Sequence, residues 1–415
     1  MEQWGFLGFA AGRTESEYGL PGDPDGIPVL NLVQQRRDFE LGIREPFLGF
    51  HSFNFRAGSV DYQHKEIEPS GEVATTFEND AWEARAELVY ERGLHSGTIG
   101  VQHTEREFSA IGEESFIPPV DTTDTGVFWV GQRSYDAFDL ELGLRIGRVE
   151  HNPSLANSEE FDTYSASGGL VIPLAEGWFV GLLVDHSARA PVGEELYSEG
   201  PHLVTGTFER GNADLDNERA TSFSATVQYD GEFWHATATG YYTRFTDFIY
   251  QQATGAFIDS FPVLAYNQID ARYLGIDLEI TTSVARWDGG EVLVRGMFDL
   301  VNAKLDTHGN DNIPRTPPMR YGFGIEANWG RIQTSIDYLR VDTQADIAPL
   351  ELVTDGYNDI SAHVGFELAL AASSLNFFLE AKNLSDDEQR IHTSFIKEVA
   401  PAPGRSIEFG VRWVF

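Results

Sequence analysis

Three histidines stand close to carboxylates in polar stretches of the chain. His186 follows Asp185, His202 follows Glu194, Glu195 and Glu199, and His392 follows Asp386, Asp387 and Glu388. Neutral imidazole with carboxylate is the ligand set of zinc and similar cations. No HxH, HxxH or His-rich tract occurs, so a metal site would have to be assembled in space from separate segments. Thiolate ligands and Cys nucleophiles are excluded, because the chain has no Cys. A lone His such as His235 or His363 reads most simply as a polar residue facing a water-filled interior. Enzyme signatures are missing too: there is no GxSxG elbow, no HExxH and no P-loop. The Glu194–Glu195 pair has no obvious partner base. The residues therefore point to binding rather than catalysis, and to no cofactor.

The charge balance narrows the partners. Across 415 residues, 65 acidic side chains face 29 basic ones, a formal net charge of −36. Phosphate binding needs clustered Lys and Arg, so nucleic acid is excluded as a partner. A surplus of carboxylates attracts cations and repels anions. Twenty-nine Phe, 15 Tyr, 8 Trp and 41 Gly suit a chain of many strands. No apolar run approaches the roughly 18 residues of a transmembrane helix, and the longest, GWFVGLLV at 177–184, is of strand length. The opening MEQWGFLGFAAGR lacks the basic region, apolar core and cleavage site of a secretory signal.

Positioning of any site falls to β-strands, since nearly every segment alternates with period two. About eighteen strands are expected, near residues 4–16, 29–42, 50–64, 78–92, 97–110, 126–136, 138–150, 161–174, 177–189, 217–229, 232–250, 262–283, 290–304, 317–329, 332–345, 355–371, 374–386 and 404–415. In the closing strand Ile407, Phe409, Val411, Trp413 and Phe415 share one face, and Ser406, Glu408, Gly410 and Arg412 the other. Long polar connections (YGLPGDPDGIP, HKEIEPSGEVATTF, residues 190–216, DTHGNDNIPRTPP, and SDDEQRIHTSFIKEVAPAP) alternate with tight ones (ERGLHS, YDAF, AEG, YDGE, WGR). That asymmetry is the mark of an outer-membrane barrel, with short periplasmic turns, long outer loops, an apolar outer wall and a polar lumen. The expected fold is all-β, a transmembrane antiparallel β-barrel whose first and last strands pair.

HSARAPVGEELYSEGPHLVTGTFERGNADLDNERA, residues 186–220, resembles the R-x-P, E-L-Y, G-x-H, T-x-T-F-E-x-G-N motif of TonB-dependent outer-membrane receptors. FTDFIYQQ (245–252), YNQIDARYLGIDLEI (266–280), PRTPPMRYGFG (314–324) and NLSDDEQRIHTSFIKEVAPAPGR (383–405) match in order. The final EFGVRWVF resembles a barrel-assembly signal, carried by Glu408, Gly410, Trp413 and Phe415. WGFLGFAAGRTESEYGLPG resembles the start of an outer loop in the zinc-uptake branch of these receptors. That loop here carries Asp23 and Asp25 in place of a His-rich insertion.

The resemblance implies energised uptake of a metal ion or metal complex (zinc, an iron–siderophore or haem) across the cell outer membrane. It implies four kinds of partner: membrane lipid, the barrel-assembly machinery, the ligand, and TonB through a region N-terminal to this chain. It also implies a 22-stranded family barrel with a plug domain, of which residues 1–415 would be an N-terminally truncated barrel portion without signal peptide, TonB box or plug. Substrate-binding candidates are His186, Arg189, Glu194, Glu195, His202 and His392, and metal candidates are His202, His392, Asp23 and Asp25. A plug-less, porin-like passive channel is the alternative function.

Overall fold

The structure, a computed structural model, describes residues 4–19, 28–113, 115–202, 205–370 and 373–415. Among these residues alternation yields strands and almost nothing else: twenty strands and one five-residue helix. Backbone contacts divide the chain into two units. One comprises Met1–Leu170, Leu183–Ser222 and Arg244–Ala271, the other Val171–Leu182, Phe223–Thr243 and Arg272–Phe415.

In the first unit β1 (Gly5–Gly19), β2 (Val29–Arg44), β3 (Ser52–Ile67), β4 (Val73–Arg92), β5 (His95–Gly112), β6 (Val120–Ser134) and β7 (Asp139–Pro153) form an antiparallel meander. Next in the chain come β8 (Glu159–Ala175) and β9 (Trp178–Arg189). The stretch after β9 carries helix α1 (Gly193–Tyr197) and two four-residue strands, β10 (Glu199–His202) and β11 (Thr207–Arg210). Then follow β12 (Glu218–Asp230), β13 (Trp234–Ile258) and β14 (Phe261–Trp287); β12 pairs with β9. The second unit continues the meander with β15 (Gly290–Leu305), β16 (Arg320–Trp329), β17 (Ile332–Val341), β18 (Tyr357–Ala369), β19 (Ser374–Lys382) and β20 (Ser406–Val414).

All eighteen expected strands are present. The additional two, β10 and β11, are too short to alternate visibly and sit inside a stretch that reads as a polar connection. β11 lies parallel to β14, with Phe208 opposite Val263.

Register gives the sheet two chemically distinct faces. Leu41, Phe55, Ala86, Val101, Val127 and Ile146 lie in one row across β2 to β7. Six residues nearer the long connections, the same face carries Gln35 beside Asp61, and Asp80, Glu107 and Asp121 in a row. At about 3.3 Å per residue, apolar surface gives way to carboxylates within about 20 Å. On β4 the apolar stretch runs from Trp82 through Ala84, Ala86 and Leu88 to Tyr90. That is about the 9–11 residues a tilted strand needs to cross a bilayer.

β20 keeps the expected alternation to its end, with Ile407 65%, Phe409 69%, Val411 51%, Trp413 62% and Phe415 91% exposed. Aromatic residues mark the limits of this band. Of the eight tryptophans, Trp4, Trp129, Trp178, Trp234, Trp287, Trp329 and Trp413 lie at or near the short-turn ends of their strands, and Trp82 lies at the opposite limit. Gly131 leaves room for one of them, since a Cβ there would meet the Trp129 ring at 2.3 Å.

The opposite face is charged. Arg56 pairs with Glu40 at 2.9 Å, Arg36 with Asp38 at 2.8 Å and Arg85 with Glu87 at 2.6 Å. Gln102 accepts from Arg85 and Arg145, both at 3.4 Å, and donates to Glu83 at 2.8 Å. In the second unit Arg295 meets Asp337 and Arg320 meets Asp299, both at 3.0 Å.

Candidate functional site

The motif-bearing segment between β9 and β12 folds onto the polar face of the first unit. Apolar packing seats it: Ala190, Leu196, Tyr197 and Leu215 join Phe77, Ala110, Phe116, Ile117, Val120, Phe161 and Ile249 in one buried cluster. Phe77, Ala110 and Val120 sit on β4, β5 and β6 near their long-connection ends. Burial there pushes the Tyr197 hydroxyl up to about 12, with the nearby Glu159 carboxylate contributing.

Three cationic or imidazole side chains clamp the segment. Arg189, the last residue of β9, forks onto Glu195 at 2.9 and 3.2 Å and reaches Glu218, the first residue of β12, at 3.4 Å. Glu195 also accepts the Val192 N–H at 2.8 Å, tying the carboxylate to the start of α1. Arg106 of β5 donates to Glu194 at 3.1 Å and to Asn79 at 2.8 Å. His151 of β7, 2% exposed, lies between Thr122 Oγ1 at 2.9 Å and the Pro191 carbonyl at 2.9 Å. A carbonyl can only accept, so Nε2 carries a hydrogen and Nδ1 takes the Thr122 hydroxyl.

Beyond α1, His202 stacks on Phe116 with ring centroids 5.3 Å apart and 1° between planes. Its Nδ1 donates to the buried Glu209 at 2.9 Å. Tyr266 of β14 reaches the other oxygen of Glu209 at 3.5 Å.

The structure brings Arg189, Glu194, Glu195 and His202 onto this one segment and its mounting. His186 stands on β9 beneath it, bonded to Thr221 at 2.8 Å and stacked on Tyr164. His392 belongs to the second unit. Its Nδ1 faces the Lys397 ammonium at 3.1 Å and the Thr354 hydroxyl at 2.8 Å, which take the lone pair a metal would use. That ammonium would also repel a cation brought to Nδ1, and in this arrangement His392 takes part in a polar contact between connections. Asp23 and Asp25 lie outside the described residues. Among the described residues no three His, Asp or Glu side chains converge as a metal site.

Arg106, His151 and Phe116 were not singled out by sequence, and Glu209 and Glu218 entered only as members of the 186–220 motif stretch. The available signal was a cation or imidazole on the polar face of a strand, near the end that meets an acidic stretch.

At the other end of the chain, Gly410 has a steric reason to be glycine. A Cβ there would lie 2.1 Å from the Phe378 ring opposite it on β19.

The charged face carries open grooves. One, of about 680 Å³ in the first unit, is lined in part by Arg36, Asp38, Glu40, Arg56, Glu83 and Thr104. Another, of about 410 Å³ in the second unit, includes Arg295, Met297, Asp337, Asp359 and Ser361.

A sheet with an apolar band between aromatic limits on one face and ion pairs on the other is the wall of an outer-membrane β-barrel. The chain matches the TonB dependent receptor-like, beta-barrel family over residues 12–384 and belongs to it. Barrels of that family reside in the outer membrane of Gram-negative bacteria. Solved structures agree in fold at low identity. The copper transporter OprC superposes with a TM-score of 0.80 at 16% identity, covering 99% of this chain and 76% of that one. The FrpB iron transporter from Neisseria meningitidis gives 0.78 at 12% identity, covering 98% and 68%. The ferric citrate transporter FecA, unliganded, gives 0.73 at 12%, covering 100% and 68%.

Proposed function

We propose that this chain supplies the barrel of a TonB-dependent outer-membrane transporter that takes up a metal ion or metal complex, with zinc, an iron–siderophore and haem as the ligand classes. The observation that carries this reading is the segment of residues 190–217, mounted on a charged, water-compatible face by Arg106, His151 and Arg189. It presents carboxylate, imidazole and guanidinium groups together, the chemistry that meets a hydrated cation or a polar chelate. Likeness in fold to a copper transporter and an iron transporter supports the class of cargo.

In this reading Arg189, Glu194, Glu195, His186 and His202 contact or position the ligand. TonB energises the uptake, and membrane lipid covers the apolar face. Glu408, Gly410, Trp413 and Phe415 engage the barrel-assembly machinery.

The test is growth of a strain deleted for the full-length gene, under zinc limitation and under iron limitation, with and without the gene restored. Loss of growth under one metal, rescued by the gene, is expected. Equal growth under both would overturn metal uptake. No conductance from the refolded chain in planar bilayers would count against the alternative of a plug-less passive channel.

A further inference from the structure

The second unit holds a buried polar knot at the long-connection end of its strands. Three connections meet in it: residues 306–319, 342–356 and 383–405. Lys397 is only 6% exposed, an uncommon place for an ammonium, yet it is fully engaged. Its Nζ donates to the Leu352 carbonyl at 2.7 Å and to Thr354 Oγ1 at 2.8 Å, and meets His392 Nδ1 at 3.1 Å. The Thr354 hydroxyl approaches the same imidazole nitrogen at 2.8 Å. Ammonium has no lone pair to offer, so Nδ1 must be the acceptor and the ring must hold its hydrogen on Nε2.

That Nε2 is buried without a hydrogen-bond partner, 3.7 Å from Glu351 Oε1. Glu351 is already committed, accepting the Arg315 N–H at 2.6 Å and the Ala348 N–H at 2.8 Å. The Arg315 guanidinium lies 3.8 Å over the Phe395 ring, closing the triangle of connections. The charged groups around His392 are therefore Lys397 and Glu398 of its own connection, Glu351 of the second and Arg315 of the third.

We infer that this knot is a proton-operated lock on the three connections, closed while His392 is neutral and released when its Nδ1 takes up a proton. A proton on Nδ1 sets an N–H against the Lys397 ammonium 3.1 Å away and forces the Thr354 hydroxyl, which already accepts from that ammonium, to turn from donor to acceptor, so the charged ring cannot keep the closed contacts that hold the connections together. Burial, and after it Lys397, holds His392 below the usual histidine range; burial likewise lowers Lys397.

The closed lock thus binds fewer protons than the open one. The His392 contribution is fully present above the ordinary histidine pKa of about 6.5, and is lost as pH falls from there through the lower value of the closed state. One proton per opening lets the open-to-closed ratio change by up to about tenfold per pH unit in that window. The inference does not depend on which ligand the transporter carries.

Amide hydrogen exchange of the full chain in detergent micelles tests it, measured between pH 5 and 8 and corrected for intrinsic exchange. Protection of residues 342–356 and 383–405 should fall together below about pH 6.5. His392→Gln, neutral at every pH, should abolish that dependence, and Lys397→Met should leave both connections exchanging fast throughout. Protection that ignores pH in the parent chain, or the same dependence in His392→Gln, overturns the lock. If His392→Gln does not fold, the imidazole titration followed by NMR decides. A midpoint below the ordinary value that tracks loop exchange supports the lock, and an ordinary midpoint with unchanged loops refutes it.

Discussion

Arg189 shows how one side chain can fix a whole segment. Its planar fork holds Glu195 and Glu218, which are 14% and 12% exposed, while the guanidinium itself stays 42% exposed. Arg189→Met leaves two nearly buried carboxylates without their cation, at a cost of about 1–3 kcal/mol. Hydrogen exchange of residues 190–217 should rise accordingly while β2 to β7 stay protected. Arg189→Lys should recover only part of the loss, because a point charge cannot serve both carboxylates as a fork does. His151→Ala removes the donor to the buried Pro191 carbonyl and should loosen the same segment by about 1–3 kcal/mol, whereas His151→Gln, which keeps an N–H, should loosen it less. The same readout compares the two. These partners were invisible in the sequence: Arg106 and Glu194 are 88 residues apart, and only folding brings them to 3.1 Å. The R-x-P and E-L-Y residues were legible because their local spacing is conspicuous, but the strands that receive them were not.

At the level of the strand, the apolar face is a band of limited height, and position along a strand sets the cost of a charge. Val127→Arg, within the band, should destabilise the chain in lipid vesicles by about 2–4 kcal/mol, and Asp121→Arg, six residues further along the same face, by about 0–1 kcal/mol. Equilibrium unfolding in vesicles separates them; equal effects would refute the band. Gly410→Val should lower folding yield by displacing the Phe378 ring, measured as the heat-modifiable fraction on refolding. The strands themselves were almost wholly legible, since alternation is a local property and Gly, Pro and Asp mark the connections. The early start of β4 at Val73 was not, because the Asp80, Glu78 and Thr76 end of its exposed face has no apolar signal to alternate with. The same physics explains why β20 was read to within two residues at either end: every outward position there is apolar.

Across the whole chain, a net charge of −36 makes the approach of a ligand sensitive to salt. Association of a cationic complex should slow as ionic strength rises from about 0.01 to 0.15 M, where the Debye length shrinks from about 30 to 8 Å, and that of an anionic chelate should quicken. Stopped-flow binding at the two salt concentrations checks the sign, and an identical salt response for both ligands would refute steering by the chain's own field. Ligand identity itself was not legible, because residue types in separate segments do not say which of them face one ligand; His392, for one, bonds to Lys397 and Thr354. The Arg189 fork also has a mechanical side. It joins the end of β9 to the start of β12, two strands that pair with each other, so the intervening segment is stapled at its root. A pull on that segment loads both strands along their length, in shear, and many ladder bonds share the force. The ladder of the wall therefore resists a load applied through the segment better than it would resist the same load peeling one bond at a time.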